Sequence, residues 1–316
     1  MKVTEHLEKA TKTLISFEII PPKRGGDIKG LLAILDDIIK YNPPFIDITS
    51  HSAEVIYEET DEGIRKKVKR KRPGTLGICA LIQNKYNIEA VPHVLCQGFT
   101  REETEDFLIE IQYLGIENIL AIRGDSKGYE KPLQYGRSVN ANTEELVNQI
   151  SAMNSGLYLE ENLIDAKPSN FCIGVGGYPE KHFEAPNLRA DIKYLKKKIE
   201  AGAQYIVTQM FYDNNAYFNF VKTCREEGIE APIIPGLKVL MAKSNLSSLP
   251  RNFHVNIPEE LADEVMEAQP EHIMEIGVNW AIRQVEDLLN NNVPAIHFYI
   301  MQNAKPINLL MKKVSF

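Results

Sequence analysis

Short apolar runs rich in Val and Ile recur along the chain and alternate with longer stretches whose apolar residues fall three and four apart. The first pattern is that of strands buried on both faces and the second that of amphipathic helices, so the chain reads as strand then helix throughout. Candidate strands cover residues 14–20, 45–50, 90–96, 118–123, 171–176, 205–211, 233–237 and 295–300, eight in all. Candidate helices include 30–40, 101–114, 143–153, 189–201, 216–227 and 271–290. Thr100 is placed as an N-cap, with Glu103 at the third helical position, and Gly115 and Gly228 stand where C-caps belong. Strand–helix units of this kind build either an open doubly wound sheet or a closed barrel. Eight of them without a break in composition predict an α/β fold of the (β/α)8 TIM-barrel type, as a single domain over residues 1–316.

Composition narrows the function. A net charge of -7 gives no electrostatic reason to bind nucleic acid or an acidic membrane surface, so a small anionic ligand needs a local basic site. Cys79, Cys96, Cys172 and Cys224 lie far apart, without a C-x-x-C pair or a metal-type spacing against histidine, and are expected to be reduced thiols with no metal. The N-terminus lacks the features of a signal peptide and no run is apolar for long enough to span a membrane, which makes a cytoplasmic location the expectation. One segment stands apart, DEGIRKKVKRKR at 61–72. It reads as a solvated loop or helix face after the second strand, with contact to an anionic ligand tail as the alternative.

In such a barrel the site lies at the C-terminal ends of the strands. Glu18 interrupts the apolar run SFEIIPP, and a carboxylate there is costly unless it is paired, neutralised or in a wet site. It is either catalytic or satisfied by a neighbouring Lys or backbone amide. The run ILAIRGDSKG puts Arg123, Gly124 and Asp125 at the rim, as a phosphate-binding loop or as a strand-to-turn junction held by an Arg–Asp pair. After the fifth strand, GVGGYPEKHFEAP lacks the third glycine of a dinucleotide fingerprint, and no Walker A loop occurs. Asp191 and Lys198 share a helix face without the spacing of a local salt bridge. Gln209 lies among apolar neighbours, where its amide either binds a heterocycle or bridges two strand ends.

The segments SFEIIPPK, PHVLC, LGIENILAIRGD, GYPEKHFEAP with Asp191 and Lys198, AGAQYIVTQMFYD and IIPGLK, in this order, resemble methylenetetrahydrofolate reductases across nearly the whole chain, in their bacterial single-domain form. The resemblance implies an oxidoreductase that binds FAD in its barrel. It implies reduction of 5,10-methylenetetrahydrofolate to 5-methyltetrahydrofolate, the methyl source for methionine synthesis, with NAD(P)H as donor in a ping-pong sequence. A ferredoxin-type donor is the alternative. By the same resemblance Glu18 is the acid that protonates the folate, Asp125 a carboxylate near both flavin and pterin, and Gln209 the amide that binds the pterin. Thr49, His93, Arg123, Gly124, Asp125, Tyr135, Tyr178, His182, Glu184, Ala185, Asp191 and Lys198 match FAD-contacting positions.

Two substrate contacts depart from the family pattern. Asn303, in HFYIMQN, stands where HFYTLNR has arginine, with Gln302, Lys305 and the 66–72 basic run as candidate replacements. Leu246 falls near the position of the family's stacking aromatic, with Phe253 as the other candidate. The choice of nicotinamide stays open. The chain ends after the barrel, so control through an added regulatory domain is not expected, and self-association is.

Overall fold

Eight parallel strands close on themselves in the computed structural model, which describes residues 1–72, 74–124 and 129–316. They are β1 (Leu14–Ile19), β2 (Phe45–Ile48), β5 (Glu89–Leu95), β6 (Asn118–Ile122), β7 (Cys172–Gly177), β8 (Tyr205–Met210), β9 (Ile233–Leu237) and β10 (Ala295–Met301). Around the barrel their order is β1-β10-β9-β8-β7-β6-β5-β2. Pairing of β1 with β10, Leu14 opposite Ala295, and with β2, Phe17 opposite Ile46, makes the closure. All eight predicted strands are present, with ends shifted by at most two residues.

Each predicted helix is also present: α2 (Lys29–Ile38), α4 (Arg101–Tyr113), α5 (Thr143–Asn154), α6 (Leu188–Glu200), α7 (Asn214–Glu226) and α10 (Ile273–Asn290). Thr100 and Glu103 form a capping box, with Glu103 N–H donating to Thr100 Oγ1 at 3.2 Å and Thr100 N–H to Glu103 Oε2 at 2.9 Å. Gly115 and Gly228 take φ of +68° and +79° past their helices, a region a Cβ disfavours. Among the described residues five α-helices are additional: α1 (Val3–Lys9), α3 (Thr75–Leu81), α8 (Asn245–Phe253), α9 (Glu259–Glu267) and α11 (Lys305–Leu310).

The 61–72 segment is solvated, as expected, but most of it is strand rather than loop or helix. It begins in the turn of an antiparallel hairpin, β3 (Glu54–Thr60) with β4 (Gly63–Lys69). The register sets Glu54 opposite Lys69 and Glu58 opposite Arg65, so the basic strand is neutralised by the acidic strand before it. Lys67 pairs with Glu58 at 3.2 Å and Lys71 with Glu54 at 3.1 Å. The other face carries Val55, Tyr57, Ile64 and Val68 at the two-residue period of a strand. Arg24 N–H donating to Lys71 O at 2.8 Å and Arg70 Nε to His51 O at 3.3 Å tie its base to the rim above β1 and β2.

Alternation sorts the strand residues into two cores. Outward residues such as Phe17, Ile46, Ile48 and Ile173 pack under the helices. Inward residues Phe45, Val91, Leu120, Cys172, Tyr205, Val207, Ile234 and Ala295 fill the lower axis, and Val3 of α1 plugs the N-terminal end. Tyr205 crosses this floor, its hydroxyl donating to Ile119 O at 3.2 Å over Gly174, where a Cβ would lie 2.2 Å from the ring. Gly174→Ala is therefore expected to overpack the axis and cost about 1–3 kcal/mol, read as a lower urea midpoint at unchanged slope; an unchanged midpoint would contradict this packing.

Candidate active site

Above the apolar floor the axis turns polar. Ser16, Glu18, Asp47, His93 and His297 are buried here, on β1, β2, β5 and β10. Glu18 lies level with Asp47 on one side and with Tyr299 on the other. His93 Nε2 sits 3.5 Å from Glu18 Oε2 and 3.6 Å from Asp47 Oδ2, so one imidazole nitrogen serves two carboxylates. Burial pushes the Glu18 carboxyl up to about 7; the charges of His93 and Lys238 oppose that rise and Asp47 adds to it. Burial favours neutral His93, but Asp47 and Glu18 more than offset this and hold the imidazole above its ordinary value. The other imidazole behaves oppositely. His297 is drawn down to about 4 by burial, with Nδ1 2.8 Å from Ser16 Oγ. This cluster can hold and release a proton near neutral pH.

A second wall forms at the end of β7. Arg123 pairs with Glu184 at 2.5 Å, His182 N–H donates to Asp191 Oδ2 at 2.8 Å, and Tyr178 meets the His182 ring edge-on at 4.8 Å. Lys198 is half-buried on α6 and donates to Gly176 O at 3.2 Å. Burial lowers its proton affinity and Asp191 raises it. Asp191 in turn is raised by burial, against the His182 N–H and Lys198. Ala185 is buried and its carbonyl accepts from Lys181 Nζ at 2.9 Å. Gly124 turns at φ +89° just past β6.

These residues thus gather on two sides of one mouth. Thr49 joins them at the end of β2, its buried Oγ1 without a hydrogen-bond partner among the described residues. Gln209 shares the inward parity of Tyr205 and Val207, and its Oε1 accepts from the next backbone N–H at 2.9 Å. Three further positions have local surroundings of their own. Tyr135 is fully exposed, Leu246 packs into a satellite core with Leu249, Val255 and Leu261, and Asn303 Oδ1 accepts from Lys305 N–H at 3.0 Å at the start of α11. Asp125 lies outside the described residues. Asp47, His297, Tyr299 and Lys238 were missed, although the first two carry the same signal as Glu18, a polar residue at an inward position of an apolar strand.

A parallel β/α barrel with titratable side chains stacked in its C-terminal mouth has the build of a barrel enzyme. The chain belongs to the methylenetetrahydrofolate reductase family, whose pattern it matches over residues 2–315. Methylenetetrahydrofolate reductase (NADH) 1 of Arabidopsis thaliana is 31% identical over 327 residues, covering 98% of this chain and 50% of that protein. The probable methylenetetrahydrofolate reductase (NADPH) of Caenorhabditis elegans is 26% identical, covering 98% and 43%. The chain thus spans about half the length of these relatives. It covers 87% of the 5,10-methylenetetrahydrofolate reductase of Salmonella typhimurium, at 27% identity over 92% of its own length. Among solved structures, oxaloacetate acetylhydrolase in complex with 3,3-difluorooxalacetate superposes with a TM-score of 0.53 at 10% identity, over 98% of this chain and 82% of that one, a likeness of fold alone. No described helix is long and apolar enough to cross a membrane.

The raised Glu18 has a consequence for stability. A carboxyl whose folded pKa exceeds its unfolded value favours folding when protonated; the stability this confers is full at low pH and lost as pH rises from about 4.5 to about 7. Glu18→Gln removes the burial cost of the charge. It is expected to be more stable than the parent at pH 8, by up to about 3 kcal/mol, with the gain gone by about pH 4. Urea unfolding at the two pH values checks this, and a gain independent of pH would contradict it.

Proposed function

We propose that this chain reduces 5,10-methylenetetrahydrofolate to 5-methyltetrahydrofolate, drawing electrons from a reduced nicotinamide through bound FAD in a ping-pong sequence, and that residues 1–316 form one catalytic domain. The observation that carries this reading is Glu18, a buried carboxyl poised near neutrality in the mouth of a barrel of this family.

The mouth fits a flavin. A Cβ on Gly176 would meet nothing within 4 Å, whereas one on Gly174, a step lower on the same inward face, would strike Tyr205. That opening is bordered by the half-buried Lys198 and by Arg123, and Thr49 offers a hydroxyl without a partner among the described residues. These residues, with Tyr178, His182, Glu184, Ala185 and Asp191, would hold FAD, and Asp125 and Tyr135 are proposed to join them. When bound, FAD supplies the two-electron relay between nicotinamide and folate that no side chain can provide. Lys198 offsets negative charge on the flavin.

The remaining chemistry belongs to the chain. Opening of the folate's five-membered ring requires a proton on the departing N10, and Glu18 delivers it, since a carboxyl near 7 is substantially protonated at neutral pH yet acidic enough to give the proton up. His93, in reach of both carboxylates, holds the charge left behind. The amide of Gln209 supplies the donor and acceptor that a pterin edge pairs with. Lys198 and Arg123 supply the local basic site that the net charge of -7 demands.

The visible spectrum of the purified protein tests the reading. A flavin band that bleaches under anaerobic NADH or NADPH and returns on adding methylenetetrahydrofolate is expected. A band that neither nicotinamide bleaches would favour a ferredoxin-type donor, and a protein unable to take up FAD would overturn the proposal. Glu18→Gln should leave nicotinamide-driven bleaching intact and slow its return with folate by about 10²–10⁴-fold; equal loss in both halves would remove Glu18 from the role of acid.

A further inference from the structure

Glu18 faces a titratable group from each neighbouring element. Asp47 reaches it from β2, His93 from β5, Tyr299 from β10 and Lys238 from the end of β9, with His297 one inward step lower on β10. Of these, Asp47 opposes ionisation of Glu18, while His297 and Tyr299 are neutral, the first drawn down to about 4 and the second pushed well up, both chiefly by burial. The His93 imidazole, held above its ordinary value, is shared with Asp47. Lys238 is different: Glu18 is the carboxylate it feels.

The register explains the placement. Gly236 is level with His297 and Leu237 with Phe298, so Lys238 falls level with Tyr299, which is itself level with Glu18. Alternation turns Lys238 inward with Tyr299 and Glu18. The Tyr299 ring is swung aside toward β8: its hydroxyl donates to Thr208 O at 2.5 Å, and a Cβ on Gly236 would meet the ring at 2.6 Å. Among the described residues the Tyr299 carbonyl takes the hydrogen bond from Lys238 Nζ, at 3.4 Å, and no direct ion pair there ties the ammonium to Glu18. The two charges act on each other through space, in a mouth that screens them poorly.

We propose that Lys238 is a positioning residue for the reaction proposed above, the dedicated counter-charge that lets a buried Glu18 part with its proton while His93 is shared between Glu18 and Asp47. With a neutral residue in its place, two carboxylates compete for one imidazole. Glu18 then keeps its proton to higher pH and is the weaker acid. A lysine that merely gripped an anionic part of the substrate would change KM and leave the carboxyl alone.

The inference rests on the reading of Glu18 as acid, but its test does not require turnover. The purified protein, carrying whatever flavin it holds, is labelled with carbon-13 at its glutamate carboxyls, and the Glu18 signal is assigned by its absence in Glu18→Gln. In the parent the signal is expected to titrate near neutrality. In both Lys238→Met and Lys238→Gln the midpoint should rise by about one pH unit, a tenfold gain in proton affinity, and Lys238→Arg should restore it. The pH dependence of the folate half-reaction should move with the midpoint, while KM for the folate changes little. An unmoved midpoint in whichever neutral variants fold overturns the inference, as does a change confined to KM. A moved midpoint in a protein that reduces no folate would uphold the electrostatic role of Lys238 and overturn the proposed reaction alone.

Discussion

Closing eight strands into a barrel leaves no free edge but forces every second side chain into a narrow axis, and the molecule is organised by what fills that axis. The lower half is filled in the ordinary way, by Phe45, Val91, Leu120, Val207 and Ile234, with Tyr205 laid over Gly174 and Val3 as the plug. This dry floor makes the upper half chemically useful. Side chains one or two steps further along the same strands, Asp47 above Phe45, His93 above Val91 and His297 above Ala295, are buried without being surrounded by hydrocarbon alone. Their charges are screened by one another more than by water.

The balance among them follows from a shortage of cations. Two carboxylates meet a single imidazole nitrogen at 3.5 and 3.6 Å, so the cluster cannot be fully ionised and fully paired at once. Burial drives Glu18 toward neutrality, with Asp47 adding to the effect, while Asp47 and Glu18 drive His93 toward its charged form. Coupled titration of this kind is how a barrel obtains an acid at neutral pH from a residue that is ionised in water.

Much of this was legible in the sequence, for a physical reason. Parallel strands buried on both faces produce short apolar runs with abrupt ends, so all eight could be placed to within two residues, and any polar residue inside one, as with Glu18, is conspicuous. The hairpin was not legible, because attention to the basic stretch at 61–72 hid the alternation of β3 and β4, whose charges are matched across the pair. Asp47 and His297 were overlooked although the same test exposes them. Lys238 gives no local signal: it follows a strand, where a lysine is commonplace, and only the register against β10 and β1 brings it level with Glu18.

Strand order adds a last constraint. Counting around the barrel from β1 through β10, β9 and β8, the strand directly opposite is β7. Glu18 therefore faces, across the mouth, the arc that carries Gly176 and the half-buried Lys198, with Gln209 of β8 beside that arc. The proton-handling groups and the open, cationic wall are diametric, and a flat molecule between them would present one side to each. Such a separation lets the two walls be tuned independently: the charge of Lys198 is set by Asp191 on its own helix and that of Glu18 by its neighbours on β2, β5, β10 and β9. A chain that must handle electrons and a proton on one ligand gains from keeping the groups that govern each on opposite strands, and a closed parallel barrel provides that spacing through its topology.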